Sequence, residues 1–373
     1  MSGLVAVAMS GGLDSSVAAW LLSRERPVVG LSMLLWEGAA PAPRSGRCCG
    51  ALDLGDARRV AQQAGIPHYT LRLDAEFRRD VVDPFVDDYL AGRTPSPCVR
   101  CNTFIKFDAL LTRARGLGAE RVATGHYARI VDGPEGPELH RAVDEAKDQS
   151  YFLFELTREQ LAASLFPLGG LRKPEVRALA RAAGLVVAEK GESMELCFVA
   201  GEVADFVTAE AAARGARAAR AARPEETRAV PGAAAAELVD EEGSVLGSGA
   251  PYYRYTVGQR RGLGVAAGRR LYVLEVRPEE NRVVVGDEEA LACRALRGER
   301  LHWIGVPPAG EPEVTVRIRS RHAGAAARVK ALPGGRAEVE LAEPQRSIAP
   351  GQAAVFYDGS RVLGGCWISE GLR

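Results

Sequence analysis

The sequence lacks an excess of charge of either sign: 48 Lys and Arg stand against 48 Asp and Glu. A zero balance excludes the long-range positive field of strongly basic nucleic-acid binders and leaves only local basic faces for that task. Lysine itself is scarce, five residues against 43 arginines. Long apolar runs are also missing, since none approaches the ~20 residues of a membrane span. Met1-Ser2-Gly3 runs directly into an apolar segment, without the basic start and small-residue cleavage site of a secretory leader. The expectation is a soluble, cytoplasmic protein with no membrane partner. Cysteine is sparse, seven in 373 residues, an odd number too thin for a disulfide framework. In a reducing compartment, closely spaced cysteines point to metal or redox chemistry instead. The remaining composition, 47% hydrophobic and 26% charged, excludes extensive disorder.

At about 100–200 residues per domain, the length predicts two or three domains. Residues 4–9 are almost wholly apolar, as in a strand buried on both faces. Residues 28–35, 69–73 and 121–125 read as further strands, with helices over 53–64 and 172–183. Alternation of this kind predicts a doubly wound parallel sheet with ligands at the carboxyl ends of its strands. Residues 211–236 are low-complexity Ala/Arg/Glu/Pro, part helix and part linker. Beyond Tyr252 short β-rich runs (271–276, 282–285, 314–321, 337–341, 353–357, 361–368) alternate with turns, predicting two small β-rich domains, the last a β-barrel. The expected units are residues 1–203, 204–290 and 291–373.

The sharpest local signal is Ser10-Gly11-Gly12-Leu13-Asp14-Ser15-Ser16, set between the first strand and a helix. Two glycines let backbone approach an oxyanion closely, and the helix N-terminus supplies unpaired N–H groups. Ser10, Ser15 and Ser16 add hydroxyl donors, while Asp14 is a candidate to hold Mg²⁺ or cap the helix. The Lys-Ser/Thr pair of a Walker loop is missing, which disfavours GTPase-type phosphoryl transfer. A second constellation is Arg93-Thr94-Pro95-Ser96-Pro97-Cys98-Val99-Arg100-Cys101-Asn102, where two prolines stiffen the approach to a Cys pair. A cysteine near a helix start and beside Arg100 or Lys106 is expected to have substantial thiolate character. A third thiol, Cys197, lies in Glu192-Ser193-Met194-Glu195-Leu196-Cys197-Phe198. Cys293 and Cys366 read as small hydrophobes, and Cys48-Cys49 carries no assignment.

The Ser10–Ser16 motif resembles the pyrophosphate loop (PP-loop) of the ATP pyrophosphatase superfamily, whose adenine nucleotide alpha hydrolase-like fold cleaves ATP between its α- and β-phosphates. Seven motifs (AMSGGLDSS, GRTPSPCVRCNTFIKF, ATGHYAR, KDQSYFL, ELCF, YTVGQRRGLG and APGQAAVFYDG) occur in an order that resembles the tRNA-specific 2-thiouridylases. That resemblance implies an enzyme that uses ATP, with Mg²⁺, to replace oxygen 2 of the wobble uridine of tRNA by sulfur. It implies ATP-phosphate contacts from Ala8, Met9, Ser10, Gly11, Gly12, Leu13, Asp14 and Ser15, and adenosine contacts from Met33 and Gly125. Cys101 would be the nucleophile and Cys197 the persulfide carrier, joined in a transient disulfide. Ser96, Pro97 and Cys98 would touch the target base. His126, Lys147, Asp148, Gln149, Arg319, Ser320 and Gln352 would contact tRNA.

Two departures bear on mechanism. The family commonly has Asn where Ser96 stands, and some members have Asp where Cys98 stands. Members with Cys-x-x-Cys and a distal Cys resemble iron–sulfur thiolases, which makes Cys98, Cys101 and Cys197 candidate ligands of a [4Fe–4S] cluster. A persulfide route, fed by a relay protein or cysteine desulfurase, and a cluster route both fit these residues. An amide-forming ligase on the same loop is the alternative class, and it requires no thiols. For tRNA, period-two alternation over residues 314–321 predicts a strand with Arg317, Arg319 and Arg321 on one face.

Overall fold

A computed structural model of the chain describes residues 3–36, 51–191, 196–221, 234–265 and 268–373. Cys48-Cys49, Glu192–Glu195 and the greater part of the Ala/Arg-rich linker lie outside the described residues. Among the described residues, the first unit contains β1 (Val5–Ala8), β2 (Val28–Leu34), β3 (His68–Arg72), β4 (Arg121–Ala123), β5 (Ala128–Gly133), β6 (Gly136–Arg141) and β7 (Ser164–Leu165). Five of these form a parallel sheet in the order β3-β2-β1-β4-β7. All four residues of β1 are buried, because parallel neighbours flank it and helices cover both faces. The chain runs outward from β1 through β2 to β3, then returns to place β4 on the other side. Strand order therefore reverses between β1 and β4, where sheets of this type bind ligands.

The second unit is a four-stranded sheet of β8 (Glu237–Val239), β9 (Val245–Ser248), β10 (Tyr272–Arg277) and β11 (Arg282–Gly286), ordered β10-β11-β8-β9. The third contains β12 (Ala292–Trp303), β13 (Glu313–Arg317), β14 (Ala325–Leu332), β15 (Arg336–Arg346), β16 (Ala353–Asp358) and β17 (Arg361–Leu372). These run β12-β15-β14-β13-β16-β17, and β17 pairs back to β12, closing a six-stranded barrel. Closure leaves no open edge, and inward-facing residues such as Leu296, Val316, Val329, Val339 and Phe356 fill the interior. Cys293 and Cys366 are buried in this core as small hydrophobes, and burial pushes the Cys366 thiol up to about 12.

The β5–β6 hairpin belongs by sequence to the first unit, yet β6 pairs with β17 through His140 and Arg361. The barrel sheet thereby extends into the first unit. One expected element needs correction: the strand foreseen over 314–321 ends at Arg317. Arg317 is buried, while Arg319 and Arg321 are exposed in the turn that follows. No three-arginine face exists there, because Asp148 draws Arg317 inward.

Candidate active site

Strand β1 ends at Ala8, and Met9 to Gly12 form the loop that enters the helix Leu13–Ser23, α1. Gly11 has φ +72°, and a Cβ there would collide with the Asp53 carbonyl oxygen, so only glycine fits this approach. The Ser10 N–H donates to Ser15 Oγ at 3.1 Å, and the two hydroxyls lie 3.1 Å apart. Gly12 is the N-cap and offers no side-chain acceptor. Neither Asp14 nor a serine caps this end, so its N–H groups face the loop without a side-chain acceptor, as an anion site requires. The Ser16 hydroxyl is fully buried and has no hydrogen-bond partner among the described residues.

Asp14 is likewise not an open metal ligand. Lys173 Nζ contacts both carboxylate oxygens, at 2.7 and 2.8 Å, and Tyr127 Oη donates to one of them at 2.9 Å. Lys190 has a parallel role at the other side of the loop. Its ammonium donates to the Gly11 carbonyl at 2.8 Å, to Asp53 at 2.5 Å and to Asp56 at 2.6 Å. Burial works against the charge on Lys190, but the hydrogen bonds to Asp53 and Asp56 outweigh it and raise its pKa. Three carboxylates that would repel a polyphosphate are thus neutralised beside the loop. Sequence reasoning missed Lys173, Lys190 and Tyr127. The available signal was lysine's rarity: Lys106, Lys173 and Lys190, three of the chain's five, converge on this region.

Met33 lies on β2 and Gly125 just beyond β4, on the two strands that flank β1. At Gly125 a Cβ would meet Ser15 N at 2.6 Å and the Asp14 carbonyl carbon at 2.7 Å. Packed against this side is the helix over residues 97–116, which starts with Pro97 in its first turn. Its segment Cys101–Ala109 is π-helical, a local widening common at functional sites. Cys101 is 9% exposed and belongs to the same apolar cluster against which Cys197 and Met33 pack. Cys98 is exposed, whereas Ser96 and Pro97 are buried. Arg100 donates to the Asp80 carbonyl at 2.6 Å and stacks over Phe104.

The approach to these thiols is held by three hydrogen bonds at Thr94, from two other units. Thr94 N–H donates to the Pro350 carbonyl at 2.7 Å, Gln352 Nε2 donates to the Thr94 carbonyl at 2.8 Å, and Thr94 Oγ1 bonds Thr256 at 3.2 Å. The Cys-x-x-Cys segment therefore sits where all three units meet, and Gln352 is part of that clamp. His126 is buried beside Phe107 and Phe166, with Nδ1 2.7 Å from Thr124 Oγ1 and Nε2 3.5 Å from Lys106 Nζ. Burial, reinforced by Lys106, drives its pKa well below the ordinary value and keeps the ring neutral. Gln149 exchanges hydrogen bonds with the Tyr127 backbone at 2.8 and 3.0 Å. Asp148 pairs with Arg317 at 2.9 Å, and Arg319 and Ser320 follow in the next turn. Among the described residues, no three His, Cys, Asp or Glu side chains group as a metal site.

A phosphate loop at the switch point of a parallel sheet, together with two cysteines at one apolar cluster, defines the class: a PP-loop ATP-using enzyme equipped for sulfur chemistry. Residues 3–201 match a family described as the tRNA methyl transferase HUP domain, 230–287 the tRNA methyl transferase PRC-barrel domain, and 293–368 the aminomethyltransferase beta-barrel domain. The chain is 48% identical to the tRNA-specific 2-thiouridylase MnmA of Geotalea uraniireducens, over 99% of this chain and 96% of the relative. It is 49% identical to the protein of that name from Solibacter usitatus, over 98% of each. The chain belongs to the tRNA-specific 2-thiouridylase MnmA family. The domain descriptions speak of methyl transfer, but the phosphate loop and the thiols of this chain fit the relatives' name. Among the described residues no helix is long and apolar enough to cross a membrane.

Proposed function

We propose that this chain is an ATP-dependent tRNA 2-thiouridylase, acting on the wobble uridine, position 34, of the tRNAs for Lys, Glu and Gln. The observation that carries the reading is the Ser10–Ser15 loop at the end of β1, with Met33 of the neighbouring β2 packed against the apolar cluster that holds Cys101 and borders Cys197. A uridine C2 carbonyl is a weak electrophile. Attack of its oxygen on the α-phosphorus of ATP expels pyrophosphate and makes that oxygen part of a leaving group. The uncapped end of α1 and the loop N–H groups hold the charge of the departing pyrophosphate, with Mg²⁺ arriving on the nucleotide. Asp14, already engaged by Lys173, is not assigned to that ion.

In the sulfur step, a relay protein or cysteine desulfurase first loads Cys197 as a persulfide. Its terminal sulfur attacks C2, the C2–O bond breaks and AMP leaves. The Cys101 thiolate then attacks the Cys197 sulfur, which frees the thiocarbonyl and leaves a Cys101–Cys197 disulfide for the donor system to reduce. In the alternative route Cys98, Cys101 and Cys197 would hold a [4Fe–4S] cluster, which would supply an iron-bound sulfide in place of the persulfide. A wobble base stacked in its loop must be flipped to reach this site. In this reading residues 1–203 do the chemistry, 204–290 brace the thiol loop, and the barrel of 291–373 holds the tRNA. The test is the nucleotide product: tRNA-dependent AMP, lost in Cys197→Ala, whose persulfide displaces it, supports thiolation. AMP formation that needs no thiol would support the amide-forming ligase instead.

A further inference from the structure

The segments Lys147–Gln149 and Arg319–Ser320 lie in different units and far apart in sequence, yet one buried ion pair ties them together. Arg317 Nη1 donates to Asp148 Oδ2 at 2.9 Å, with side chains 11% and 2% exposed. Asp148 also accepts from Ser150 N, Ser150 Oγ and Ala142 N at 3.1, 3.0 and 3.3 Å. The other arm of the guanidinium, Nη2, donates to the backbone carbonyl of Ser320. Tyr151 and Tyr357 lie against the same group, at 5.9 and 5.8 Å. Arg317 therefore reads out two positions at once: a loop of the catalytic unit and the turn that follows β13.

We infer that Arg317 and Asp148 are positioning residues that weld these two segments into one composite tRNA surface. They fix the exposed Arg319 and Arg321 at a set place relative to the catalytic sheet. The inference rests on the proposed tRNA substrate. It assigns to Asp148 an internal role, since a carboxylate already holding a guanidinium and three hydrogen bonds has no exposed face for RNA. Of Arg317, Arg319 and Arg321, the last two are exposed and so can present charge to phosphates.

The test is a double-mutant cycle on tRNA affinity. Arg317→Lys keeps the charge but loses the fork that reaches Asp148 and Ser320 together. In the wild-type background it should weaken tRNA binding about fivefold, and in an Arg319→Ala/Arg321→Ala background it should cost almost nothing further. ATP affinity and the melting temperature of Arg317→Lys, measured alongside, should stay near wild type. Equal losses in both backgrounds, undiminished tRNA binding by Arg317→Lys, or loss of ATP binding in parallel with tRNA binding would each overturn the inference. A wild-type protein that binds no tRNA would instead overturn the function on which it rests.

Discussion

Lys190→Met is the most informative single perturbation of the phosphate loop. Lys190 sits seven positions before Cys197 in the sequence and bridges Asp53, Asp56 and the Gly11 carbonyl. Methionine fills much of the same volume but leaves two facing carboxylates, of which Asp53 is only 8% exposed. Breaking a fully buried pair costs about 3–5 kcal/mol, and with Lys190 itself 22% exposed the loss should be about 2–4 kcal/mol. For a unit of this size that is a fall in melting temperature of roughly 5–10 °C. Adding Asp53→Asn should restore part of it, because the uncompensated charge is then gone. The pair also has a pH signature. Lys190 has a raised pKa, so its contribution is complete below the ordinary lysine value and is lost as pH rises through the folded value. For Asp56, burial opposes ionisation but hydrogen bonds from Lys190 and Arg59 lower the pKa, so that contribution is lost as pH falls through the acid range. Calorimetric melting and nucleotide titration read these effects. A Lys190→Met protein that melts with the wild type and binds ATP equally would refute the clamp.

Other outcomes follow from single contacts. Gly125→Ala places a methyl against the backbone of Asp14 and Ser15, and overpacking there should cost about 1–3 kcal/mol and most of the ATP affinity, read by melting and titration. Cys101→Ala and Cys197→Ala should each abolish thiolation while leaving ATP binding intact, read by nucleoside mass spectrometry and titration. Gln352→Ala removes a donor to the Thr94 carbonyl, and its turnover should fall more than its ATP affinity because the thiol loop loses one of three holds. His126 stays neutral when folded, so below about pH 6.5 the unfolded chain gains a proton that the folded chain does not. Stability should fall with pH over that window, and His126→Gln should fall less when melted at the same pH values.

The phosphate loop was legible in the sequence because its determinants are local: two glycines, a buried strand before them and a helix after. The thiols were legible because Cys98 and Cys101 are neighbours, and Cys197 was singled out by its motif. What stayed hidden depends on distance along the chain. Lys173 and Lys190 act on residues more than a hundred positions away, and nothing in their own surroundings announces it. Arg317 alternates correctly for a solvated strand face, yet Asp148, in another unit, captures it. The β5–β6 hairpin has a weak local signal, since its two-residue turn is Pro134-Glu135, bracketed by Gly133 and Gly136 rather than built on a Gly-containing pair. Its role as an extension of the barrel sheet required the pairing of His140 with Arg361 to be seen. Charge neutrality, read first as an argument against nucleic acid, says little once opposite charges are found spent on each other inside the fold.

The most direct measurement is nucleoside mass spectrometry of tRNA after incubation with the enzyme, ATP and a persulfide donor, with AMP counted in the same reaction. Sulfur in place of oxygen 2 of the wobble uridine, in step with AMP and absent from Cys101→Ala and Cys197→Ala, is the predicted result. AMP released without sulfur in the tRNA, or full thiolation by either cysteine variant, would contradict it.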